Sequence, residues 1–287
     1  MTHAWMPSSP CGDGCLPTAT ARAGAVRMSA RCALLAAMVL SLPALLAAGA
    51  LPGSWRRPVQ RGYSRVALRG LGVRLRVRDE RGLDLDPGER GVLVVAGHVS
   101  WADVLVLSAL GPADFVARAD MLDWPLLGTL ARRMRIIPID RSRLAELPGA
   151  VDEAAERLRA GGRVVAFPEG TTWCGRAYGS FRPALFQSAV DAGALVQPVG
   201  IRYCTPDGRL DTTACFVGDQ TLAASLRRTV GLRRLDVEVL LAPLQEPGTD
   251  RRELARRCDR AARAILGADL TVQDILDGME ARPTAAA

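Results

Sequence analysis

From Cys32 to Leu51 the chain reads CALLAAMVLSLPALLAAGAL, twenty residues without a charge. A helix rises about 1.5 Å per residue, so such a run reaches roughly the 30 Å of a bilayer's hydrocarbon core. The segment must either find lipid or be enclosed by protein, and it reads as a membrane helix or as a re-entrant hairpin broken at Pro43. A competing reading is a cleaved export signal, because Arg22, Arg27 and Arg31 precede the run and Ala48, Gly49 and Ala50 resemble a small-residue cleavage site. The run is long for a signal core. The flank beyond it, with Trp55, Arg56, Arg57, Arg61, Tyr63 and Arg65, has the aromatic and basic character of an interfacial anchor. Arginine on both flanks leaves the orientation open.

The remainder is long enough for one substantial catalytic domain. The chain has 287 residues, 49% of them hydrophobic, which excludes a disordered or fibrous protein. It divides into a disordered leader (1–31), a membrane segment (32–54), a catalytic domain (55–268) and a flexible tail (269–287). The formal charge of +7 points to anionic partners: phosphate-bearing ligands, a membrane surface or nucleic acid. The basic residues are all Arg, whose guanidinium fork suits bidentate phosphate contact. No zinc finger or RNA-binding motif accompanies the charge, which speaks against nucleic acid.

The seven cysteines are Cys11, Cys15, Cys32, Cys174, Cys204, Cys215 and Cys258, without a C-x-x-C pair. A zinc site would have to be assembled from scattered thiols. The expectation is therefore reduced thiols facing the cytosol and no structural metal, with Cys11 and Cys15 in an unstructured leader.

Strand and helix patterns alternate through the body. VRLRVRDE from Val73 alternates apolar residues with Arg, a strand with one cationic face. GVLVVAG is a near-continuous apolar run of the kind buried on both faces. PGAVDEAAERLRAGG carries Pro148 at a helix start and Gly161 at its exit. Strand patterns RVVAF, ALVQPVGIRY and LDVEVLLAPL follow, and then a last amphipathic helix, DRRELARRCDRAARAILG, whose Arg-rich side reads as a solvated face or a membrane-surface contact. The fold class expected is α/β: a layered mixed sheet flanked by helices, with an N-terminal hydrophobic membrane-anchoring segment.

Two places carry chemistry. The strand VLVVAG delivers His98 at its carboxyl end, where open α/β sheets place ligands. Ser100 then resembles the N-cap of a helix beginning near Trp101. Asp103, three residues on, either closes a capping box or folds back to fix the imidazole tautomer and stabilise the imidazolium. The second place is VVAFPEGTTWCGRAYGSFRPALF. There a strand ends in a turn of Glu169, Gly170, Thr171 and Thr172, with Arg176 and Arg182 close behind. Glu169 can accept from hydroxyls, Gly170 permits close backbone approach, and the threonines donate. Equally, this is an ordinary strand-to-helix turn with Glu169 exposed and Thr172 capping a helix. No G-x-S-x-G elbow, H-E-x-x-H or P-loop pattern occurs.

Together these blocks closely resemble those of the glycerolipid acyltransferase family, the 1-acylglycerol-3-phosphate acyltransferases and related lysophospholipid acyltransferases. HVSWAD matches the H-x-x-x-x-D block. FVARADMLDWPLLG matches the second block with Arg118, Pro125 and Gly128, though Asp120 and Met121 stand where Glu and Leu are commoner. RIIPIDR continues it to Arg141, FPEGTT is the third block, and VQPV at Val196 to Val199 the fourth. The resemblance runs from about Arg65 to Ala242.

The resemblance implies transfer of a fatty acyl group from a thioester, acyl-CoA or acyl-ACP, to the free hydroxyl of lysophosphatidate to give phosphatidate, with no other cofactor. His98 would be the general base and Asp103 its orienting partner. Glu169, Gly170 and Thr171 would bind the glycerol or polar head, and Arg118 and Arg141 the phosphate. The catalytic domain would lie on the cytoplasmic side of the membrane, among membrane lipids. Lyso-ornithine lipid or another lysolipid is the alternative acceptor, and a phosphate-free one would make Arg118 less important. A catalytically silent lipid-binding membrane protein is the reading from another class.

Overall fold

The computed structural model describes residues 6–17, 20–48, 53–78, 90–124 and 127–266. Two helices come first, α1 (Ala25–Ala48) and α2 (Gly53–Leu71), followed by β1 (Val73–Arg78), β2 (Val92–Ala96), α3 (Asp103–Leu110) and β3 (Asp114–Arg118). Next come α4 (Leu127–Arg133), β4 (Ile137–Ile139), α5 (Leu147–Arg159), β5 (Arg163–Ala166) and α6 (Phe186–Ala192). The chain closes with β6 (Leu195–Cys204), α7 (Leu222–Val230), β7 (Leu235–Leu241) and α8 (Arg251–Leu266). The flexible tail expected from Asp269 lies outside the described residues.

The strands form one mixed sheet in the order β1-β7-β6-β2-β5-β3-β4. Among the described strand pairs, β6–β7 alone is antiparallel. Helices cover both faces, as the apolar run of β2 requires: all five of its residues are buried. Val94 and Ala96 belong to the core on one side of the sheet, and Leu93 and Val95 to the core on the other, which α5, α6 and α8 roof. Helix α5 ends as its sequence dictates, with Gly161 beyond it at φ +73.

Strand β1 bears the expected cationic face, and much of that charge is answered inside the protein. Arg76 pairs with Asp236 at 2.6 Å and Arg78 with Glu238 at 3.4 Å, and both carboxylates lie on the adjacent β7 and are buried. The Arg side of α8 is similarly laced with local pairs, Arg263 to Asp259 at 2.8 Å and Arg256 to Glu253 at 2.9 Å.

The apolar segment is a helix, as the first of its two readings expects, and it begins before the uncharged run. Its helix starts at Ala25, so Arg27 and Arg31 lie within the first two turns, and it continues unbroken through Pro43. Arg31 donates to the carbonyls of Val230 (2.8 Å), Leu232 and Arg233, and this anchorage to the catalytic body explains the early start. Helix α2 packs back along α1, where Tyr63 Oη donates to the Met38 carbonyl at 2.6 Å. Residues 49–52, between the two helices, lie outside those described. Residues 25–44 are apolar and long enough to cross a membrane, and Val26, Val39 and Leu40 are exposed along them.

The leader also departs from expectation. Residues 6–17 pack on the catalytic domain rather than trailing from it: Cys11 is buried, and Thr212 Oγ1 donates to the Cys15 carbonyl at 2.7 Å. The composition of this stretch, Gly, Pro and Ser around two cysteines, hid an attachment made through sulfur and main-chain groups instead of through apolar bulk.

Candidate active site

Parallel pairing places the two sequence blocks side by side. Val95 of β2 is in register with Ala166 of β5, so His98 and Glu169, each three residues further on, emerge together at the carboxyl edge. Strand β3 lies beside β5 and ends at Arg118, itself in register with Ile139 of β4, two residues before Arg141. Four neighbouring strand ends thus carry His98, Glu169, Arg118 and Arg141 along one rim, as expected for ligand placement in such sheets.

His98 and Asp103 meet directly, Nδ1 to Oδ2 at 2.9 Å. Asp103 is fully buried and its charge is met by four donors. Oδ2 also accepts the main-chain N–H groups of Val99 (2.8 Å) and Ser100 (2.9 Å), while Oδ1 accepts from Tyr203 Oη at 2.7 Å. The two sequence readings of Asp103 therefore coexist: the carboxylate that satisfies the turn's backbone also holds the ring. Helix α3 begins at Asp103 itself, and Ser100 lies in the preceding turn, where its Oγ accepts from Ala102 N–H at 3.3 Å.

With an ionised Asp103 accepting at Nδ1–H, the lone pair of His98 rests on Nε2, the nitrogen a base must present. The side chain is 20% exposed. Phe167 stacks on a face of the ring, with centroids 4.0 Å apart and planes 14° from parallel.

The turn after β5 is stitched to the histidine's backbone. Trp173 N–H donates to the His98 carbonyl at 2.7 Å, Phe216 N–H to the Val99 carbonyl at 2.9 Å, and Thr172 Oγ1 to the Phe216 carbonyl. Thr172 thus bonds across the loop instead of capping a helix. Glu169 is buried, not exposed, and both its oxygens are taken by main chain: Oε2 by His98 N–H at 2.8 Å and Oε1 by Gly179 N–H at 3.1 Å. Burial outweighs these donors and pushes the Glu169 carboxyl up to about 8. In this structure Glu169 is a strut between the two blocks, bonded to the main chain of each. Gly170 follows at φ +75, a left-handed conformation that favours glycine, with Thr171 half-buried beside it.

The basic residues gather on the same rim. Arg118 makes a two-pronged pair with Asp120, Nε to Oδ1 at 2.9 Å and Nη2 to Oδ2 at 2.7 Å. Burial, together with the nearby charges of Arg118 and Arg182, lowers Arg141 to about 10 against the opposing pull of Asp120. It remains a cation at neutral pH. Arg182 lies against the turn, its Nε 3.7 Å from where a Cβ on Gly170 would sit. Pro125 of the second block lies outside the described residues.

Three participants escaped the sequence reading. Phe167 was part of a strand pattern with no hint of a ring above it. Tyr203 lies a hundred residues from Asp103 and meets it only through the β2–β6 pairing. Arg182 was noted for its proximity in sequence but given no role. The cysteines scattered along the chain also converge: the sulfurs of Cys11, Cys15 and Cys174 lie within 4.8 Å of one another.

The site joins an imidazole held by a buried carboxylate to a cationic rim at the carboxyl edge of an α/β sheet. The acyltransferase family model matches residues 74–202. The chain is 41% identical over 180 residues to a lyso-ornithine lipid O-acyltransferase of Pseudomonas aeruginosa, covering 61% of this chain and 67% of that one. It is 32% identical to the Brucella abortus enzyme of the same name (78% and 88% covered), and 31% to a 1-acyl-sn-glycerol-3-phosphate acyltransferase of Neisseria gonorrhoeae (75% and 85%). The fold matches the crystal structure of the LPA acyltransferase PlsC from Thermotoga maritima with a TM-score of 0.64 at 17% identity, over 90% of this chain and 96% of that one. The chain belongs to the acyltransferase family of lysolipid-acylating enzymes.

Proposed function

We propose that the protein is a membrane-associated O-acyltransferase that esterifies the free hydroxyl of lysophosphatidate with a fatty acyl group from acyl-CoA or acyl-ACP. The observation that carries this reading is the His98–Asp103 pair, a partly exposed imidazole fixed by Asp103 at Nδ1 and by Phe167 on a face.

The reaction needs only this chain's residues and its two substrates. His98 Nε2 takes the proton of the lipid hydroxyl as its oxygen attacks the thioester carbonyl carbon. The tetrahedral intermediate then collapses with cleavage of the C–S bond, and the leaving sulfur recovers the proton from the imidazolium. The products are an ester and a free thiol. Asp103 stabilises the transient imidazolium, while Phe167 and the loop bonds keep the ring from turning.

Three guanidiniums on the rim favour a phosphate-bearing head, since each gains from a dianion among them. Helix α1 would seat the domain at the bilayer surface, where acceptor and product both reside, with the catalytic body facing the cytoplasm. The Arg31 bonds to the body fit a permanent anchor better than a leader that is removed.

A second acceptor, lyso-ornithine lipid, is favoured by the names of two of the relatives above. Asp120 supplies a carboxylate on the same rim that an ammonium-bearing head could use. Membranes containing the wild-type chain or His98→Ala, given acyl-CoA or acyl-ACP with lysophosphatidate or lyso-ornithine lipid, test both. Loss of transfer in the inserted mutant supports the base, and the acceptor preferred by the wild type names the reaction. Equal activity of the two proteins would refute the mechanism, and inactivity of the wild type with every pair would favour a silent lipid-binding protein.

A further inference from the structure

The cluster of Cys11, Cys15 and Cys174 has no part in acyl transfer, and its geometry is that of a ligand set. All three cysteines are free thiols, and their sulfurs lie within 4.8 Å of one another. Thiolates bound tetrahedrally at about 2.3 Å from a zinc ion stand ~3.8 Å apart, so modest side-chain rotations close the site.

The surroundings point the same way. Cys11 and Cys174 are buried and Cys15 is half-buried, so holding all three as thiolates at this spacing needs a cation to offset their mutual repulsion. The other holds on the polypeptide they order are modest, among them Thr212 on the Cys15 carbonyl, Gln220 on Asp13 and the packing of Leu16. Residues 6–17, MPSSPCGDGCLP, form one short 3-10 turn at Asp13–Cys15 and offer little apolar bulk to offset the entropy of ordering.

We propose that Cys11, Cys15 and Cys174 bind a thiophilic divalent metal ion of the zinc class, clamping the N-terminal segment across the acceptor turn. Three thiolates leave one position of a tetrahedral ion for solvent, and Cys15 is the least buried of the three. The clamp has a consequence for the active site. Cys174 follows the turn by two residues, and Pro7 is seated over Gly170, its Cγ 2.7 Å from where a Cβ would be. The metal therefore fixes one wall of the rim on which the headgroup is proposed to rest, although its binding does not depend on that reading.

The test is metal analysis of the full chain, purified in detergent under reducing conditions and exchanged with Zn²⁺ or Co²⁺. The expected result is about one ion per chain, with a thiolate-to-cobalt charge-transfer band in the near ultraviolet. Cys11→Ser, Cys15→Ser and Cys174→Ser should each lose most of that band, whereas Cys32→Ser, at a thiol on the exposed side of α1, should retain it. The wild-type spectrum decides the question even where a variant fails to fold. Fewer than about a tenth of an ion per chain after exchange, or a cobalt spectrum without sulfur ligation, would overturn the proposal. So would a disulfide among the three cysteines in the native protein that, once reduced, takes up no metal.

Discussion

Glu169 grips His98 by its backbone, Oε2 accepting the main-chain N–H at 2.8 Å, while the imidazole itself is held by a different carboxylate. Two buried acids thus divide the task. Asp103 sets the ring and Glu169 sets the chain that carries it, and their sequence blocks meet because β2 and β5 are adjacent and parallel.

The burial of Glu169 gives stability a pH dependence of known sign. Its folded-state pKa is raised to about 8 from an ordinary 4.5, so the folded protein holds a proton that the unfolded chain releases. The contribution is fully present below pH 4.5 and is lost as pH rises through 8, at no more than ~1.4 kcal/mol per unit. Thermal unfolding followed between pH 5 and 9 should show the wild type losing stability relative to Glu169→Gln, whose side chain does not titrate. Parallel curves for the two proteins would remove Glu169 from the account.

Replacing His98 with Ala should lower kcat by about 10² to 10⁴-fold while the protein still inserts and folds, because the imidazole supplies only the proton transfer. Asp103→Asn should fall in the same range for a different reason. The amide cannot hold the Nδ1–H tautomer, and it also weakens the bonds to Val99 and Ser100 N–H. The melting temperature is measured alongside the steady-state rates, because both variants should lose some stability: His98→Ala removes a donor to buried Asp103 and the stack on Phe167, and Asp103→Asn weakens the turn.

Much of this was legible in the sequence because the information was local. β2 is a continuous apolar run, Gly161 closes α5, and both turn blocks sit directly after strand patterns. The sheet class and the histidine's position follow from such signals alone. Tyr203, Phe167 and the attachment of residues 6–17 depend instead on strand order and on contacts across the chain, which no local period encodes. Asp103 shows the boundary most clearly. Its spacing from Ser100 suggests a capping interaction and its spacing from His98 a contact with the ring, and only the turn's actual path shows that one carboxylate makes both bonds.

Tyr203 gives a test of that shared carboxylate. Tyr203→Phe leaves Asp103 Oδ1 without a donor in a fully buried position, which should cost about 1–3 kcal/mol of stability. It should also lower kcat roughly tenfold if the Asp103 position shifts by an amount worth ~1.4 kcal/mol in the transition state. Because Tyr203 touches no substrate, KM should be unchanged. A variant altered in KM but not in kcat would show that Tyr203 acts through the binding surface.

The cationic rim separates the two acceptor readings. Arg141 is partly desolvated and faces like charges from Arg118 and Arg182, so an incoming phosphate relieves repulsion as well as forming new bonds. Arg141→Ala or Arg182→Ala should therefore raise KM for lysophosphatidate about tenfold or more with kcat little changed, since the loss falls equally on ground state and transition state. Added salt should weaken the wild type more than either variant. For lyso-ornithine lipid, whose head carries an ammonium as well as an anion, Asp120→Asn should be the more damaging change, provided Asp120 leaves Arg118 to meet the ammonium. Measuring KM for both lipids across these three variants and the wild type gives opposite rank orders under the two readings, so one set of assays assigns the acceptor.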